Sequence, residues 1–325
     1  MALASPLLGL PSMDADRDRV EAALLDAVRT RDAYLTEIAS HLIVAGGKRL
    51  RPVMTVAAAQ VGGQSPVSDE VILGGISCEL VHLGSLYHDD VMDESPARRG
   101  VETVNAKWGN LQAILAGDFL LSRASEIAAS LGTEVAALLA RTIGRLCEGQ
   151  IEELRHTYNA ARPEVSYLSS ISGKTASLFA TAARIGGLVA DLPRPAVDAL
   201  TEYGEAFGMV FQIVDDLLDI TATDEQLGKP AGHDMVEGVY TLPVLRTLQA
   251  GGVAAVELLQ ILGKPLDLAE RDKALSIVRS NGGVAAAIDV AREYVGRAQA
   301  ACELLPASSA TDVLYAATTN LLTTI

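Results

Sequence analysis

The chain has 325 residues, of which 49% are hydrophobic and only 4% aromatic, so its core should be large and mostly aliphatic. The formal net charge of −15, from 41 acidic and 26 basic residues, argues against nucleic acid as a partner. Three scattered cysteines without a Cys-x-x-Cys pair predict neither a disulfide framework nor a zinc site, and they favour a reducing cytoplasm.

Taken in chain order, nearly every segment has helical periodicity, and no convincing alternating strand is found. Residues 1–13 lack the features of a signal peptide, and we expect them to form a flexible N-terminus. The pattern then predicts helices at 14–41, from 51, and at 68–92, 110–130, 134–158, 164–188 and 195–221, with shorter helices beyond 241. Residues 96–100 should form a turn. No apolar run is long enough to cross a membrane.

The chain shows no linker and no fixed-period repeat. We therefore predict an all-α fold in which residues 14–325 form one large helical bundle.

Two copies of the pattern Asp-Asp-x-x-Asp stand near the carboxyl ends of apolar helices. They consist of Asp89, Asp90 and Asp93, and of Asp215, Asp216 and Asp219. On a helix, the first and third carboxylates of each copy share a face, and the middle one lies within about a quarter-turn of it. One copy alone could be a solvated surface, but two inside apolar helices indicate a metal site. Mg²⁺ suits these hard oxygen ligands and takes phosphate oxygens as its remaining ligands.

Basic residues gather beside the acidic clusters and near helix ends. They include Lys48, Arg49, Arg51, Arg98, Arg99, Lys174 and Lys229. Taken singly, each would be read as a surface charge. Together with two cation-binding clusters, they indicate a polyphosphate that is held from both sides. His82, on the same helix as the first cluster, is a candidate hydrogen-bond donor to that phosphate.

The Ser-Gly-Lys-Thr sequence at 172–175 does not form a P-loop. Leu168 occupies the position that needs glycine, and no strand precedes the motif. A nucleotide site is therefore excluded here.

The chain resembles the trans-isoprenyl diphosphate synthases, which are head-to-tail prenyltransferases, and among them the long-chain polyprenyl diphosphate synthases. The motifs follow the family's order: GGKRLRP at 46–52, ELVHLGSLYHDDVMDESPARRG at 79–100, KT at 174–175, FQIVDDLLD at 211–219, GK at 228–229 and TLP at 241–243. The resemblance implies an isoprenoid synthase bundle with a central cavity, a homodimer, and peripheral membrane contact for product release.

The resemblance also implies roles for individual residues. Mg²⁺ ions bridged to an allylic diphosphate would be held by Asp89, Asp90, Asp93, Asp215 and Asp216, with Asp219 completing the second metal motif. That diphosphate would be contacted by Arg98, Lys174, Thr175, Gln212 and Lys229. The diphosphate of the second substrate, isopentenyl diphosphate, would be held by Lys48, Arg51, His82 and Arg99. The catalytic set would join the first five aspartates with Lys174, Gln212 and Lys229.

One departure from the family concerns Val239, just before Thr-Leu-Pro. The family often has lysine at this position, so a cationic contact to the allylic diphosphate is missing from this chain.

Small residues upstream of Asp89 predict a long product. Gly84 and Ser85 lie about one turn before Asp89, Val81 lies a further turn back, and Tyr87 points to roughly the opposite side. In the resembling family, aromatic residues at the two small positions give short products. We therefore expect a deep pocket and an all-trans polyprenyl diphosphate of about six to ten isoprene units, a precursor of a quinone side chain.

Three alternatives stay open at this point. A geranylgeranyl diphosphate synthase would use the same chemistry and stop earlier. A terpene cyclase shares one acidic motif but does not need Lys48, Arg51 and His82. A non-catalytic subunit of a heteromeric synthase would tend to lose the acidic motifs, both of which this chain keeps.

Overall fold

α-Helices make up almost all regular structure in residues 6–223 and 231–325, the parts of the chain that the computed structural model describes. The all-α fold class is confirmed. The first half contains a 3₁₀ turn at Pro6–Gly9 and helices α1 (Met13–Ala27), α2 (Ala33–Val44), α3 (Leu50–Gln60), α4 (Asp69–Met92), α5 (Val104–Trp108), α6 (Asn110–Ser130) and α7 (Thr133–Arg155). The second half contains α8 (Glu164–Ile171), α9 (Ser177–Val189), α10 (Arg194–Thr221), α11 (His233–Val236), α12 (Leu242–Ala250), α13 (Gly252–Leu259), α14 (Leu268–Ser280), α15 (Gly283–Cys302) and α16 (Ser309–Leu322).

Two long helices, α4 and α10, carry the acidic clusters. The Ser68 hydroxyl accepts a hydrogen bond from the Val71 amide and so starts α4, and Pro195 lies in the first turn of α10, where its missing N–H costs nothing. Both helices are buried over most of their length, and both pack against α9. Helices α4 and α10 each end in an acidic cluster. Their shared contact with α9 therefore places both clusters in one bundle.

The predicted helix at 14–41 is wrong as a single element, because the chain breaks between α1 and α2. Asp32 is the N-cap of α2, and its Oδ1 accepts hydrogen bonds from the amides of Tyr34 at 2.9 Å and Leu35 at 3.3 Å. A side chain that satisfies the free amides of a first turn starts a new helix.

The predicted turn at 96–100 is the tip of a small antiparallel hairpin, so the expectation of no strands fails for four residues. Strand β1 (Ala97–Arg98) pairs with β2 (Val101–Glu102). Arg99 and Gly100 have φ values of 54° and 78°, and two successive positive φ values are typical of the tightest hairpin turn. The hairpin orients Arg98 and Arg99 in different directions.

The predicted helix at 164–188 is interrupted by a π-helical turn at Ser172–Ala176. Gly149 of α7 lies against this turn, and a Cβ built on Gly149 would be 2.5 Å from the Lys174 amide nitrogen. A π turn inserts one extra residue and changes the direction of the side chains that follow. The turn contains Lys174 and Thr175, two of the residues that are predicted to contact the allylic diphosphate.

The described part of the N-terminal segment packs against the helices. Leu7, Leu10 and Met13 are buried, and the Gln60 side chain donates a hydrogen bond to the Pro11 carbonyl at 2.9 Å. Residues 6–13 therefore belong to the packed bundle. No described helix is both long enough and apolar enough to span a bilayer.

Candidate active site

A cavity of about 420 Å³ lies between the carboxyl ends of α4 and α10. Its wall includes Asp93 from the first acidic cluster and Asp216 from the second. Lys174, Thr175 and Gln212 line the same space. Residues far apart in sequence are thus brought around one cavity.

The first cluster lies at the end of α4, with Arg98 beside it. Asp90 is buried, its Oδ1 accepts a hydrogen bond from Arg98 Nε at 2.6 Å, and its buried Oδ2 has no hydrogen-bond partner in the described part of the chain. Burial raises the pKa of Asp89, Asp90 and Asp93 above the ordinary range. The negative end of a helix dipole adds to their repulsion, so this helix end favours a bound cation.

The second cluster lies in the last turns of α10. Asp216 is buried, and burial together with the nearby Asp234 holds its pKa well above the ordinary range. Its Oδ1 accepts from Gln212 Nε2 at 2.8 Å. Asp219 is buried and accepts from the Asp234 amide at 3.3 Å, whereas Asp215 is exposed.

The π turn contributes a cation and a hydroxyl to the cavity. Lys174 Nζ donates to Glu153 Oε1 at 2.7 Å; burial lowers the pKa of Lys174, but Glu153 and Asp89 more than compensate and raise it. The Thr175 hydroxyl donates to Gln212 Oε1 at 2.7 Å. Lys229, the remaining predicted contact of the allylic diphosphate, lies outside the described residues.

A second basic region surrounds the glycine pair at 46–47. The Arg51 guanidinium lies 4.8 Å from the centroid of the Phe179 ring, and burial lowers its pKa. Arg99 Nη1 donates to the Leu42 carbonyl at 3.0 Å. Burial, followed by the charge of Arg51 and Arg99, holds the pKa of His82 well below its ordinary value. A neutral imidazole among arginines is suited to receive an anion.

Two neighbouring basic residues in this region differ in kind. Lys48 is exposed, as a residue that reaches a ligand from outside would be. Arg49, which the sequence placed among the basic residues that indicate a polyphosphate, is instead buried and donates to Glu21 at 2.7 Å and Glu79 at 3.3 Å. These contacts fix Arg49 between Lys48 and helix α3, whose first turn carries Arg51.

Of the residues predicted to limit product length, Val81 and Gly84 are packed against other residues, whereas Ser85 is partly exposed. Val81 is buried, and a Cβ built on Gly84 would lie 3.1 Å from the Gly117 carbonyl and 3.2 Å from Leu121 Cγ. Gly84 thus permits close contact between α4 and α6 rather than facing open space. Ser85 is only partly buried. Tyr87 is buried and donates to the Ile38 carbonyl at 2.7 Å, on another side of the helix as predicted.

Sequence reasoning missed three residues at the second cluster. Tyr167 donates to Asp216, Glu153 pairs with Lys174, and Arg162 lies buried beside Tyr167. The only available signal was the spacing of Tyr167, seven residues or two helical turns before Lys174. Val239 lines the cavity, so the aliphatic residue at this position does face the site.

The carboxylates fit a metal ion that is shared with a bound diphosphate. Among residues 6–223 and 231–325, no three potential ligand residues converge closely enough to hold an ion by themselves. Mg²⁺ is commonly held by one or two carboxylates, with waters and substrate phosphates as its other ligands. The buried Oδ2 of Asp90, which has no hydrogen-bond partner within residues 6–223 and 231–325, is consistent with that arrangement.

Comparison with known proteins identifies the family. The polyprenyl synthetase family profile matches residues 32–278, which is most of the chain. The chain belongs to the polyprenyl synthetase family. A nonaprenyl diphosphate synthase of Mycobacterium tuberculosis is 41% identical over 89% of this chain and 86% of its own length. A protein of Geobacillus stearothermophilus described as heptaprenyl diphosphate synthase component 2 is 39% identical over 92% of each chain.

A solved polyprenyl synthase shares the whole fold with this family member. The structure from Caulobacter crescentus, complexed with calcium and isoprenyl diphosphate, has a TM-score of 0.89 and 34% identity. The match covers 98% of this chain and 96% of the other. The family resemblance drawn from the motifs is therefore confirmed, and with it the prenyltransferase class.

Proposed function

We propose that this polyprenyl synthetase condenses an allylic diphosphate with isopentenyl diphosphate, head to tail and repeatedly, in a Mg²⁺-dependent reaction. The observation that carries the proposal is that one cavity is lined by residues of both acidic clusters and by Lys174. A basic region around Arg51 and His82 would receive the second diphosphate.

A long all-trans product is favoured over geranylgeranyl diphosphate. Two relatives that match about nine-tenths of this chain are named nonaprenyl and heptaprenyl diphosphate synthases, after products of nine and seven isoprene units. Solved geranylgeranyl synthases also have this fold, so the fold alone does not set the length. The use of the product as a quinone side chain remains a prediction.

The chain's own residues account for binding and for cleavage of the allylic C–O bond. Lys174 and Arg98 place positive charge where the departing pyrophosphate becomes more negative, and Gln212 and Thr175 can donate hydrogen bonds to it. A divalent ion held by the aspartates would further stabilise that leaving group as a Lewis acid. The double bond of isopentenyl diphosphate then attacks the allylic carbon, and a proton is lost from the adduct.

Aliphatic side chains give the reaction a dry environment. Residues behind the first cluster, such as Val81 and Leu83, are fully buried, and water would otherwise capture the allylic cation. No side chain of the site stands out as a dedicated base, and we assign the proton to the pyrophosphate.

The remaining alternatives are disfavoured by the charged residues that the chain keeps. A terpene cyclase has no need for the Arg51–His82 region, and a non-catalytic subunit does not need both acidic clusters. One relative is, however, a component of a heteromeric synthase, so a homodimer is a proposal. The cytoplasmic location and the peripheral membrane contact remain predictions.

The proposal is tested with Asp89→Asn and Asp215→Asn, which remove a charge and keep the side-chain size. We expect each to lower turnover by about a hundredfold or more, measured with labelled isopentenyl diphosphate, a farnesyl diphosphate primer and Mg²⁺. Asp289→Asn, an exposed carboxylate on α15, is the matched control and should leave turnover unchanged. Near-normal turnover of both cluster variants would refute the metal role of these carboxylates.

A further inference from the structure

Arg162 is a buried cation that the activity proposed above does not use. The residue is 4% exposed, and its Nε and Nη2 are buried without a hydrogen-bond partner among the described residues. It lies between α7 and Pro163, the N-cap of α8. Keeping a charge in such a place is unfavourable unless other charges compensate for the lost hydration. The groups around Arg162 therefore indicate what compensates for its buried charge.

Those groups are the acidic side of the cavity. The Arg162 guanidinium carbon lies 5.6 Å from the centroid of the Tyr167 ring, a cation–π contact. Burial lowers the pKa of Arg162, and the carboxylates of Glu153, Glu152 and Asp216 act in the opposite direction. The guanidinium stays charged, because arginine does not lose its proton in proteins.

Tyr167 connects this cation to the second acidic cluster. The residue is 2% exposed, and its hydroxyl donates a short hydrogen bond of 2.5 Å to Asp216 Oδ2. Since Gln212 donates to the other oxygen at 2.8 Å, both oxygens of Asp216 are oriented. A cation on the ring face strengthens the hydroxyl as a donor, because linked groups polarise one another.

We infer that Arg162 is a positioning residue of the diphosphate–metal site, which acts through Tyr167 to orient Asp216 and offsets the repulsion among the carboxylates around it. The inference rests on the proposed function, in which Asp216 binds a divalent ion. No contact between Arg162 and substrate is needed.

Other arginines of the chain show what a purely structural role looks like. Arg49 donates to two glutamates and a carbonyl, and Arg246 on α12 pairs with Glu164 at 2.7 Å. Arg162 has a ring and distant carboxylates instead. Its position is better explained by the charge of the site than by the packing of α8.

The test compares Arg162→Met with Arg162→Lys, and it measures bound Mn²⁺ by electron paramagnetic resonance in the presence of inorganic pyrophosphate. We expect the methionine variant to bind Mn²⁺ about tenfold more weakly, and the lysine variant, which keeps the charge, to stay within about threefold of wild type. Arg246→Met is the matched control. It removes an arginine that anchors the same helix α8, so it should lower the thermal unfolding temperature without changing Mn²⁺ affinity.

Tyr167→Phe tests the connection without a change of charge or size. It should weaken Mn²⁺ binding, and the double variant with Arg162→Met should be little weaker than Arg162→Met alone, since both act on Asp216 by one route. If Arg162→Met does not fold, Tyr167→Phe and Arg162→Lys decide the question.

The inference is overturned by wild-type Mn²⁺ affinity in Arg162→Met or Tyr167→Phe, or by equal losses in Arg162→Met and Arg246→Met. Such results leave the proposed function standing, provided the wild-type protein binds Mn²⁺. Failure of the wild-type protein itself to bind Mn²⁺ with pyrophosphate would overturn both.

Discussion

At the scale of single residues, the lowered pKa of His82 suits the basic region to the binding of an anion. Burial and the charges of Arg51, Arg99, Arg98 and Arg49 hold the pKa of its imidazole well below the ordinary value. The folded protein thus keeps His82 neutral. A protonated imidazole would add to the repulsion among the arginines, whereas the neutral ring can donate a hydrogen bond to a diphosphate.

This depressed pKa predicts a loss of stability in acid. In the unfolded chain a histidine titrates near about pH 6.5, so below that pH the unfolded state binds a proton that the folded state does not. The stability contributed by neutral His82 is present above the unfolded pKa and is lost as the pH falls, by up to about 1.4 kcal/mol per pH unit. We expect His82→Asn to lose less stability than wild type between about pH 7.5 and about pH 5.5, measured by urea unfolding. Equal losses would contradict the burial of His82 in its neutral form.

At the scale of elements, the contact between α4 and α6 bears on product length. Ser85 is partly buried on α4, whereas Gly84 lies against the backbone of α6. We therefore expect Ser85→Phe to shorten the product by one or more isoprene units, because the new ring occupies space along the growing chain. Ser85→Ala is the control and should leave the product unchanged. Products are sized by reversed-phase chromatography after dephosphorylation. An unchanged product length in Ser85→Phe would show that other residues limit the growth of the chain.

The same geometry changes what is expected of Gly84. A phenylalanine there would have to displace α6, so Gly84→Phe should mainly destabilise the protein rather than shorten its product.

The crossing of α7 with the π turn should be equally sensitive. A Cβ at Gly149 would lie 2.5 Å from the Lys174 amide and 2.7 Å from the Ser170 carbonyl, both of them backbone atoms. We expect Gly149→Ala to cost roughly 2 kcal/mol or more in unfolding free energy and to raise KM for the allylic diphosphate. On the same helix, a Cβ at Gly144 would have no other described atom within 4 Å, so Gly144→Ala should gain up to about 1 kcal/mol. Similar effects of the two substitutions would contradict this account.

These elements also show what could be predicted from sequence. The helical class and the two aspartate motifs were readable because periodicity and spacing are local properties. The break at Asp32 was missed because a single N-cap residue, without a proline or glycine before it, is a weak signal. The π turn depends on a glycine of another helix, and the Arg162–Tyr167–Asp216 contacts join distant segments, so neither leaves a local pattern.

At the scale of the whole molecule, one apolar surface lacks a partner within the described chain. On α6, Leu111, Ile114 and Leu115 are 74%, 41% and 67% exposed. Large side chains of this kind next to one another on a surface are typical of an interface. A second copy of the chain would cover them, in line with the homodimer expected from the sequence.

We therefore expect the purified protein to have about twice the chain mass of 34.0 kDa, measured by light scattering, and to turn over without any other subunit. Leu111→Glu combined with Leu115→Glu should give a monomer, because two charges would be buried without partners at the interface. Val253→Glu with Val256→Glu is the control, since these exposed valines on α13 belong to a different surface. A monomeric wild-type protein would contradict the homodimer, and activity that requires a second kind of subunit would point to a heteromeric synthase instead.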